Sequence, residues 1–208
     1  MKNTIVGIGE LLWDVFPERK VIGGAPANFA YHTSQFGYNG CAVSAIGHDL
    51  LGKEILSTLE AKKLNYLVEE TDFPTGTVQV TLTGAGVPQY EICENVAWDN
   101  IPFTARTENL AKNTQTVCFG SLAQRNSVSR ETIQKFIMAM PADSLKIFDI
   151  NLRQHFYTKE LIDESLKLAN MLKINDDEIK ILAEYYGGEF SDEQDVCRHV
   201  LAEYELDI

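Results

Sequence analysis

The hydrophobic positions of this chain alternate between two periodicities. Residues 4–9 (TIVGIG) form a short apolar run ending in glycine, which favours a buried strand. From Pro26 to Phe36 and from Leu50 to Lys62, apolar residues recur at helical spacing. Short strands are predicted after these helices, at about 41–46 and 65–69. The first third of the chain is therefore expected to alternate strands and helices.

The same alternation resumes in the second half of the chain. The pattern there predicts strands at 116–122, 145–153 and 173–175 and helices at about 130–140 and 159–172. A further helix is expected after Ser191, with Gln194 at capping-box spacing, and the final residues are typical of an unfinished strand with an unpaired sheet edge. Repeated strand–helix units predict a mainly parallel sheet with helices on both faces.

Residues 75–96 follow a different pattern. Two segments rich in β-branched and aromatic residues flank Gly84-Ala85-Gly86, which predicts a β-hairpin. The segment has no helix of its own to cover it, so the sequence indicates a flap or an oligomer contact.

Composition narrows the class of protein further. A chain of 208 residues with 45% hydrophobic content can bury one α/β core, and its net charge of −12 disfavours nucleic acid as a partner. No apolar run approaches the ~18 residues of a membrane span, so no membrane partner is expected. The four cysteines are far apart and are interpreted as reduced thiols. These features indicate a cytoplasmic location.

Three familiar nucleotide or metal motifs are not met. Gly7-x-Gly9 lacks the third glycine of a dinucleotide fingerprint, because Leu12 stands there. Residues 47–54 come close to a P-loop, but Glu54 replaces the hydroxyl that binds magnesium. The four histidines have no partner pattern for metal or for a nucleophile.

Residues 23–47 (GGAPANFAYHTSQFGYNGCAVSAIG) resemble the first signature of the PfkB, or ribokinase-type, carbohydrate kinases. The positions that match that signature are Gly23, Gly24, Pro26, Asn28, Ala30, Gly37 and Gly47. The resemblance implies a ribokinase-like three-layer α/β sandwich with a small β lid, formed by about 14–22 and 75–98. Residues 90–101 (YEICENVAWDNI) look like the fructokinase branch, although Tyr90 and Trp98 could equally be packing residues.

The resemblance also implies a sugar site near the amino terminus. Asp14 falls where relatives accept hydrogen bonds from sugar hydroxyls, and a carboxylate suits that role. Gly23 and Gly24 would let backbone approach a polyol, while Asn28 offers a donor and acceptors. Without the signature, loop statistics favour a simple tight turn at Gly23 and Gly24 with Asn28 a solvated helix residue, and Asp14 could be an ordinary loop aspartate.

Two further segments carry family motifs. Asp149, Asn151 and Arg153 match D-x-N-x-R, which implies sugar and phosphate contacts for Asn151 and Arg153; a strand-to-loop turn is the alternative. Asn175 and Glu178 match N-x-x-E, which implies a nucleotide or phosphate role for Asn175 and a magnesium role for Glu178. The same spacing also predicts a helix capping box, and the capping and ligand-binding interpretations are compatible with each other.

The implied activity is transfer of the ATP γ-phosphoryl group to a sugar hydroxyl with Mg²⁺. Relatives carry their catalytic base in a later G-A-G-D segment that this sequence does not contain. These residues are therefore expected to be a truncated kinase that is inactive alone, with its nucleotide-binding part absent. A non-catalytic sugar-binding or oligomerising module remains the alternative, and the lid is a candidate homodimer contact.

Overall fold

The structure, a computed structural model, describes residues 4–82 and 88–208. Its larger sheet has six parallel strands in the order β10-β9-β8-β1-β4-β5. These strands are β1 Thr4–Ile8, β4 Asn39–Gly47, β5 Asn65–Thr71, β8 Thr116–Gly120, β9 Leu145–Asp149 and β10 Met171–Lys173. The parallel sheet predicted from the alternating pattern is confirmed.

Helices cover both faces of this sheet. On β4, Ala42 and Ile46 pack in one apolar cluster with residues of α1 and α2, whereas Cys41 and Val43 pack in the opposite cluster with residues of α4 and α5. Successive strand side chains point to opposite faces, so both faces of β4 are buried and most of its residues are apolar. The helices are α1 Ala25–Gln35, α2 Leu50–Ala61, α3 Ala105–Lys112, α4 Ser127–Ala139, α5 Lys159–Leu168, α6 Asp176–Tyr186 and α7 Glu193–Glu203.

A second, four-stranded sheet lies beside the first, in the order β3-β2-β6-β7. It consists of β2 Leu12–Val15, β3 Lys20–Gly23, β6 Gly76–Leu82 and β7 Pro88–Ile92. Strands β6 and β7 are antiparallel, as the hairpin pattern predicts. The glycine turn predicted at 84–86 lies outside the described residues.

Several element boundaries differ from the prediction. Helix α5 ends at Leu168, four residues before the predicted end at 172. Strand β10 occupies 171–173 and so begins two residues earlier than predicted. Helix α7 is capped by Asp192, whose side chain accepts from Asp195 N, and not by Ser191. The last residues hydrogen-bond to β10, because Leu172 N donates to Ile208 O at 2.9 Å. The sequence predicts an unpaired sheet edge here, and that prediction is wrong for this position.

The described part of the chain contains no helix with the combination of length and apolar character that a bilayer crossing requires.

Candidate sugar-binding site

A cavity of about 710 Å³ lies where the large sheet faces the small one. It opens beyond the carboxyl ends of three neighbouring strands, β1, β8 and β9, the usual position for ligands in parallel α/β sheets. Its described lining consists of Glu10, Leu12, Asp14, Gly24, Ala25, Asn28, Val78, Tyr90, Ile92, Leu122, Asn151, Arg153 and Gln154. Five of the six predicted substrate-binding residues are therefore brought together.

The cavity lining combines apolar and polar surface. Leu12, Val78 and Ile92 of the small sheet supply buried apolar surface. Asp14 of the same sheet, Asn28 of α1 and the loops of the large sheet supply carboxyl, amide and guanidinium groups. A sugar has the same division, because its C–H faces are apolar and its hydroxyls donate and accept hydrogen bonds. The chemistry of the lining thus fits a polyhydroxy ligand.

Gly23 and Gly24 are required by the packing of the chain itself. A Cβ on Gly23 would meet the Asp14 carboxylate, and one on Gly24 would clash with the carbonyl oxygen of Glu10. Gly24 also has φ 111°, a conformation that favours glycine. Gly23 is buried and does not line the cavity. Gly23 thus makes room for the Asp14 carboxylate and Gly24 for the backbone of Glu10, which the sequence did not predict.

Glu10 is a cavity residue that the sequence analysis missed. Its side chain follows β1 and is 3% exposed; Oε1 accepts a 3.2 Å hydrogen bond from Ala25 N, while Oε2 has no partner among the described residues. Burial raises the pKa of Glu10 to about 7, with a further contribution from Asp149, against the opposing effects of Ala25 N–H and Arg153. A carboxyl directly after a buried apolar run was the signal available in the sequence.

The D-x-N-x-R segment leaves its strand earlier than predicted. Strand β9 ends at Asp149, and Asn151 and Gln154 have φ 41° and 49°. The predicted strand to residue 153 is therefore wrong, because left-handed backbone breaks the alternation of a strand. Asn151 and the exposed Arg153 line the cavity, whereas Asp149 lies outside it, with Lys173 Nζ 3.1 Å from its Oδ1 atom.

Asn175 and Glu178 form the capping box of α6. Asn175 Oδ1 accepts from Glu178 N at 2.9 Å, and Glu178 Oε2 accepts from Asn175 N at 3.0 Å. The other oxygen of Glu178 accepts from Leu152 N at 2.9 Å, and the side chain is 4% exposed. Glu178 therefore fastens the loop that carries Asn151 and Arg153 to the start of α6.

A resident metal site does not fit these residues. Both oxygens of Glu178 already accept backbone N–H groups, and neither Asn175 nor Glu178 lines the cavity. Within residues 4–82 and 88–208, His, Cys, Asp and Glu side chains form no cluster of three or more suited to a metal ion. The capping interpretation accounts for the geometry, and the magnesium role of Glu178 stays a prediction.

A buried ion pair fixes the base of the small sheet. Arg125 donates to both oxygens of Asp99, at 2.7 and 2.8 Å, and to the carbonyl oxygen of Cys93 just after β7. Its guanidinium carbon lies 4.1 Å from the ring centre of Trp98 and 4.5 Å from that of Phe156. Trp98 is fully buried, so its packing role is confirmed. The ion pair had no recognisable local signal in the sequence.

Comparison with known proteins identifies relatives of this chain. It is 30% identical over 199 residues to a sugar kinase of Pyrococcus horikoshii, covering 86% of this chain and 64% of the relative. The structure of that uncharacterized sugar kinase in complex with ATP superposes with a TM-score of 0.78 at 28% identity, covering 88% of this chain and 66% of the other.

Two further relatives carry more specific names. The chain is 28% identical over 161 residues to an ATP-dependent 6-phosphofructokinase of Thermoanaerobacterium thermosaccharolyticum, covering 72% of this chain and 48% of the relative. It is 23% identical over 196 residues to a fructokinase of Salmonella typhimurium, covering 88% and 64%. The chain thus spans between about half and two thirds of the length of these curated relatives.

The sequence as a whole matches the same group. Residues 9–204 match the pfkB family carbohydrate kinase. This range contains all the described lining of the cavity and every strand of both sheets except β1. The three-layer arrangement is that of the solved sugar kinases of this group. The chain therefore belongs to the PfkB family of carbohydrate kinases.

Proposed function

We propose that this chain provides the sugar-binding part of an ATP-dependent kinase that phosphorylates a sugar hydroxyl. The observation that supports it is the convergence of Asp14, Asn28, Asn151 and Arg153 on one cavity that also carries buried apolar surface. Four polar residues from three separate segments meet beside the carboxyl ends of the large-sheet strands, where α/β proteins bind ligands. Family membership supplies the reaction class.

Each polar residue has a distinct proposed role. Asp14 accepts hydrogen bonds from sugar hydroxyls, and the amides of Asn28 and Asn151 both donate and accept. Arg153 is exposed at the rim of the cavity, so its guanidinium is available to the phosphoryl group that approaches the bound sugar. This arrangement orients a hydroxyl toward the rim, and orientation is a large part of phosphoryl-transfer catalysis.

The phosphate donor is proposed to be ATP, because a relative's structure holds it. Magnesium bound with ATP would neutralise charge on the phosphates. Glu178 contributes by accepting from Leu152 N in the loop of Asn151 and Arg153, and Asn175 N–H holds the other oxygen of Glu178. The oxygen of the Asn175 side chain already caps α6, so the predicted nucleotide contact of Asn175 is proposed to use the NH2 group of that amide.

The small sheet is proposed to act as a lid. Its apolar inner residues, Leu12, Val78 and Ile92, would exclude water that competes with the sugar hydroxyl. The same sheet is the proposed homodimer contact. The fructokinase-like branch and a cytoplasmic location are retained as proposals.

Sugar binding by the purified chain tests this function. Saturation-transfer NMR detects weak ligands and suits a panel of hexoses and pentoses. We expect at least one sugar to bind, and Asp14→Ala and Asn28→Ala to abolish the signal, whereas Asp72→Ala, at a fully exposed position, leaves it unchanged. A folded chain that binds no sugar, or equal binding by all three variants, would refute the proposed site.

Turnover is a separate measurement. The sequence lacks the G-A-G-D segment that the family uses as base, so these residues alone are proposed to bind sugar without phosphorylating it. ADP release with magnesium ATP and the bound sugar measures this directly, and turnover above background would overturn the expected inactivity while leaving the sugar site intact.

A further inference from the structure

The carboxyl groups of Glu10 and Asp14 pack against the same short stretch of backbone, residues 23–25. The Asp14 carboxylate packs where a Cβ of Gly23 would lie, and Glu10 Oε1 accepts from Ala25 N two residues later. Both acids line the cavity, with Gly24 between their contacts. The interior end of the cavity therefore carries two acidic groups held against one stretch of backbone.

These groups have little local compensation. Glu10 Oε2 is buried and has no hydrogen-bond partner among the described residues, and burial raises the pKa of both Glu10 and Asp14. The ionisable groups that interact with Glu10 from the neighbouring strands and loops are Asp149, Arg153 and Cys118. Asp149 adds a further negative charge behind the cavity. An anion placed at this end would meet repulsion.

The positive charge lies elsewhere. Among the described residues that line the cavity, Arg153 is the only Lys or Arg, and it is exposed at the rim. Glu10, in contrast, is 3% exposed. The cavity is thus acidic inside and basic only at its mouth, which favours a ligand whose buried portion is uncharged. This matters because one relative is named a fructokinase and another a 6-phosphofructokinase.

We infer that the cavity selects uncharged sugars over sugar acids and sugar phosphates, and that Glu10 is a specificity-determining residue through the negative charge it places beside Asp14. The inference rests on the proposed sugar-binding function and adds the class of acceptor. Two like charges placed close together reject a competing ligand effectively. The repulsion weakens binding of the anionic ligand and leaves binding of the uncharged sugar unaffected.

The test compares matched ligand pairs on the purified chain at pH 8. Fructose is paired with fructose 6-phosphate, and glucose with gluconate. Binding of each ligand is measured by saturation-transfer NMR and by isothermal titration calorimetry. We expect the uncharged member of a bound pair to be favoured by about tenfold or more, as expected for one unscreened charge at short range. Equal or tighter binding of the anionic member refutes the selectivity and leaves the sugar site standing.

Variants then locate the effect. Glu10→Gln removes the charge and keeps an oxygen for Ala25 N, so the ratio between paired ligands should shrink several-fold at pH 8. Glu131→Gln, an exposed acid on α4, should leave that ratio at the wild-type value. An unchanged ratio in Glu10→Gln would remove Glu10 from the explanation. Since the wild-type comparison needs no variant, the selectivity is tested even if Glu10→Gln does not fold; failure of every sugar to bind would overturn both proposals.

Discussion

Gln154 joins the two sheets across the mouth of the cavity: its Nε2 atom donates a 2.8 Å hydrogen bond to the carbonyl oxygen of Tyr90 on β7. Gln154 has φ 49°, a left-handed conformation that non-glycine residues adopt infrequently. The side chain thus reaches the small sheet from a backbone position that carries a conformational cost.

Gln154→Ala should loosen β7 without unfolding the protein. Loss of one hydrogen bond of about 1 kcal/mol corresponds to roughly fivefold faster opening, so amides of residues 90–92 should exchange faster by about that factor. Hydrogen exchange read by mass spectrometry measures it. Gln134→Ala is the matched control, because it removes a side-chain hydrogen bond between α4 and Glu164 and leaves β7 untouched.

A second variant separates the side chain from the backbone. Gln154→Gly removes the same amide but relieves the left-handed conformation. It should speed amide exchange in β7 as much as Gln154→Ala does, but lower the free energy of unfolding less than Gln154→Ala does. Equal protection of β7 in the wild type and both variants would show that this hydrogen bond does not hold the small sheet.

The two glycines at 24 and 37 allow steric crowding to be distinguished from backbone strain. Both have positive φ, 111° and 85°, but a Cβ on Gly24 would clash with Glu10 whereas one on Gly37 would meet nothing within 4 Å. Gly37→Ala should cost about 1 kcal/mol of unfolding free energy, and Gly24→Ala about 3 kcal/mol or more together with loss of sugar binding. Urea denaturation gives both values, and equal costs would contradict the packing role assigned to Gly24.

Glu178 should be important for stability although it lies outside the cavity. Glu178→Ala leaves the N–H groups of Leu152 and Asn175 without their acceptor. The cost is about 1–3 kcal/mol for the buried Leu152 N–H and less for the N–H of the exposed Asn175. Glu184→Ala, at an exposed position of the same helix, should stay within about 0.5 kcal/mol of wild type. Urea denaturation compares them; a Glu178→Ala chain as stable as Glu184→Ala would mean that this carboxylate is not holding the loop.

The sequence predicts the layered fold because its signals are local. Apolar residues recur at strand or helix spacing within each element, and the glycine-rich segment 23–47 places Asn28 on a helix that begins at Ala25. The large sheet and its covering helices follow from repeating this pattern. Helix α3 was missed because it is short, and its main signal is the pair of threonines at 104 and 107 that cap its start.

The rest of the site depends on contacts between distant segments. Arg125 meets Asp99, Gln154 meets Tyr90 and Glu178 meets Leu152, across 26, 64 and 26 positions of the chain. No window of sequence contains both partners of such a pair. The left-handed backbone at Asn151 and Gln154 is also unfavourable locally, so only tertiary contacts can select it, and a strand pattern extended through it fails.

Glu10 gives the fold a pH dependence of defined sign. Its pKa rises from an ordinary 4.5 to about 7 in the folded protein, so between these values the folded state binds more protons than the unfolded state. The contribution of Glu10 to stability is therefore fully present below about pH 4.5, is lost as the pH rises toward about 7, and stays lost above it. The span of this change is on the order of 3 kcal/mol.

Glu10→Gln should remove this dependence. The difference in unfolding free energy between the variant and the wild type should move in favour of the variant from pH 5 to pH 8, by up to the same amount. Urea denaturation at a series of pH values measures the difference, in which the titration of other acids cancels because both proteins share them. Glu131→Gln, an exposed acid on α4, should give a flat difference curve. A flat curve for Glu10→Gln as well would mean that the Glu10 carboxyl is not titrating in a buried site, and the acidic interior inferred for the cavity would lose its main support.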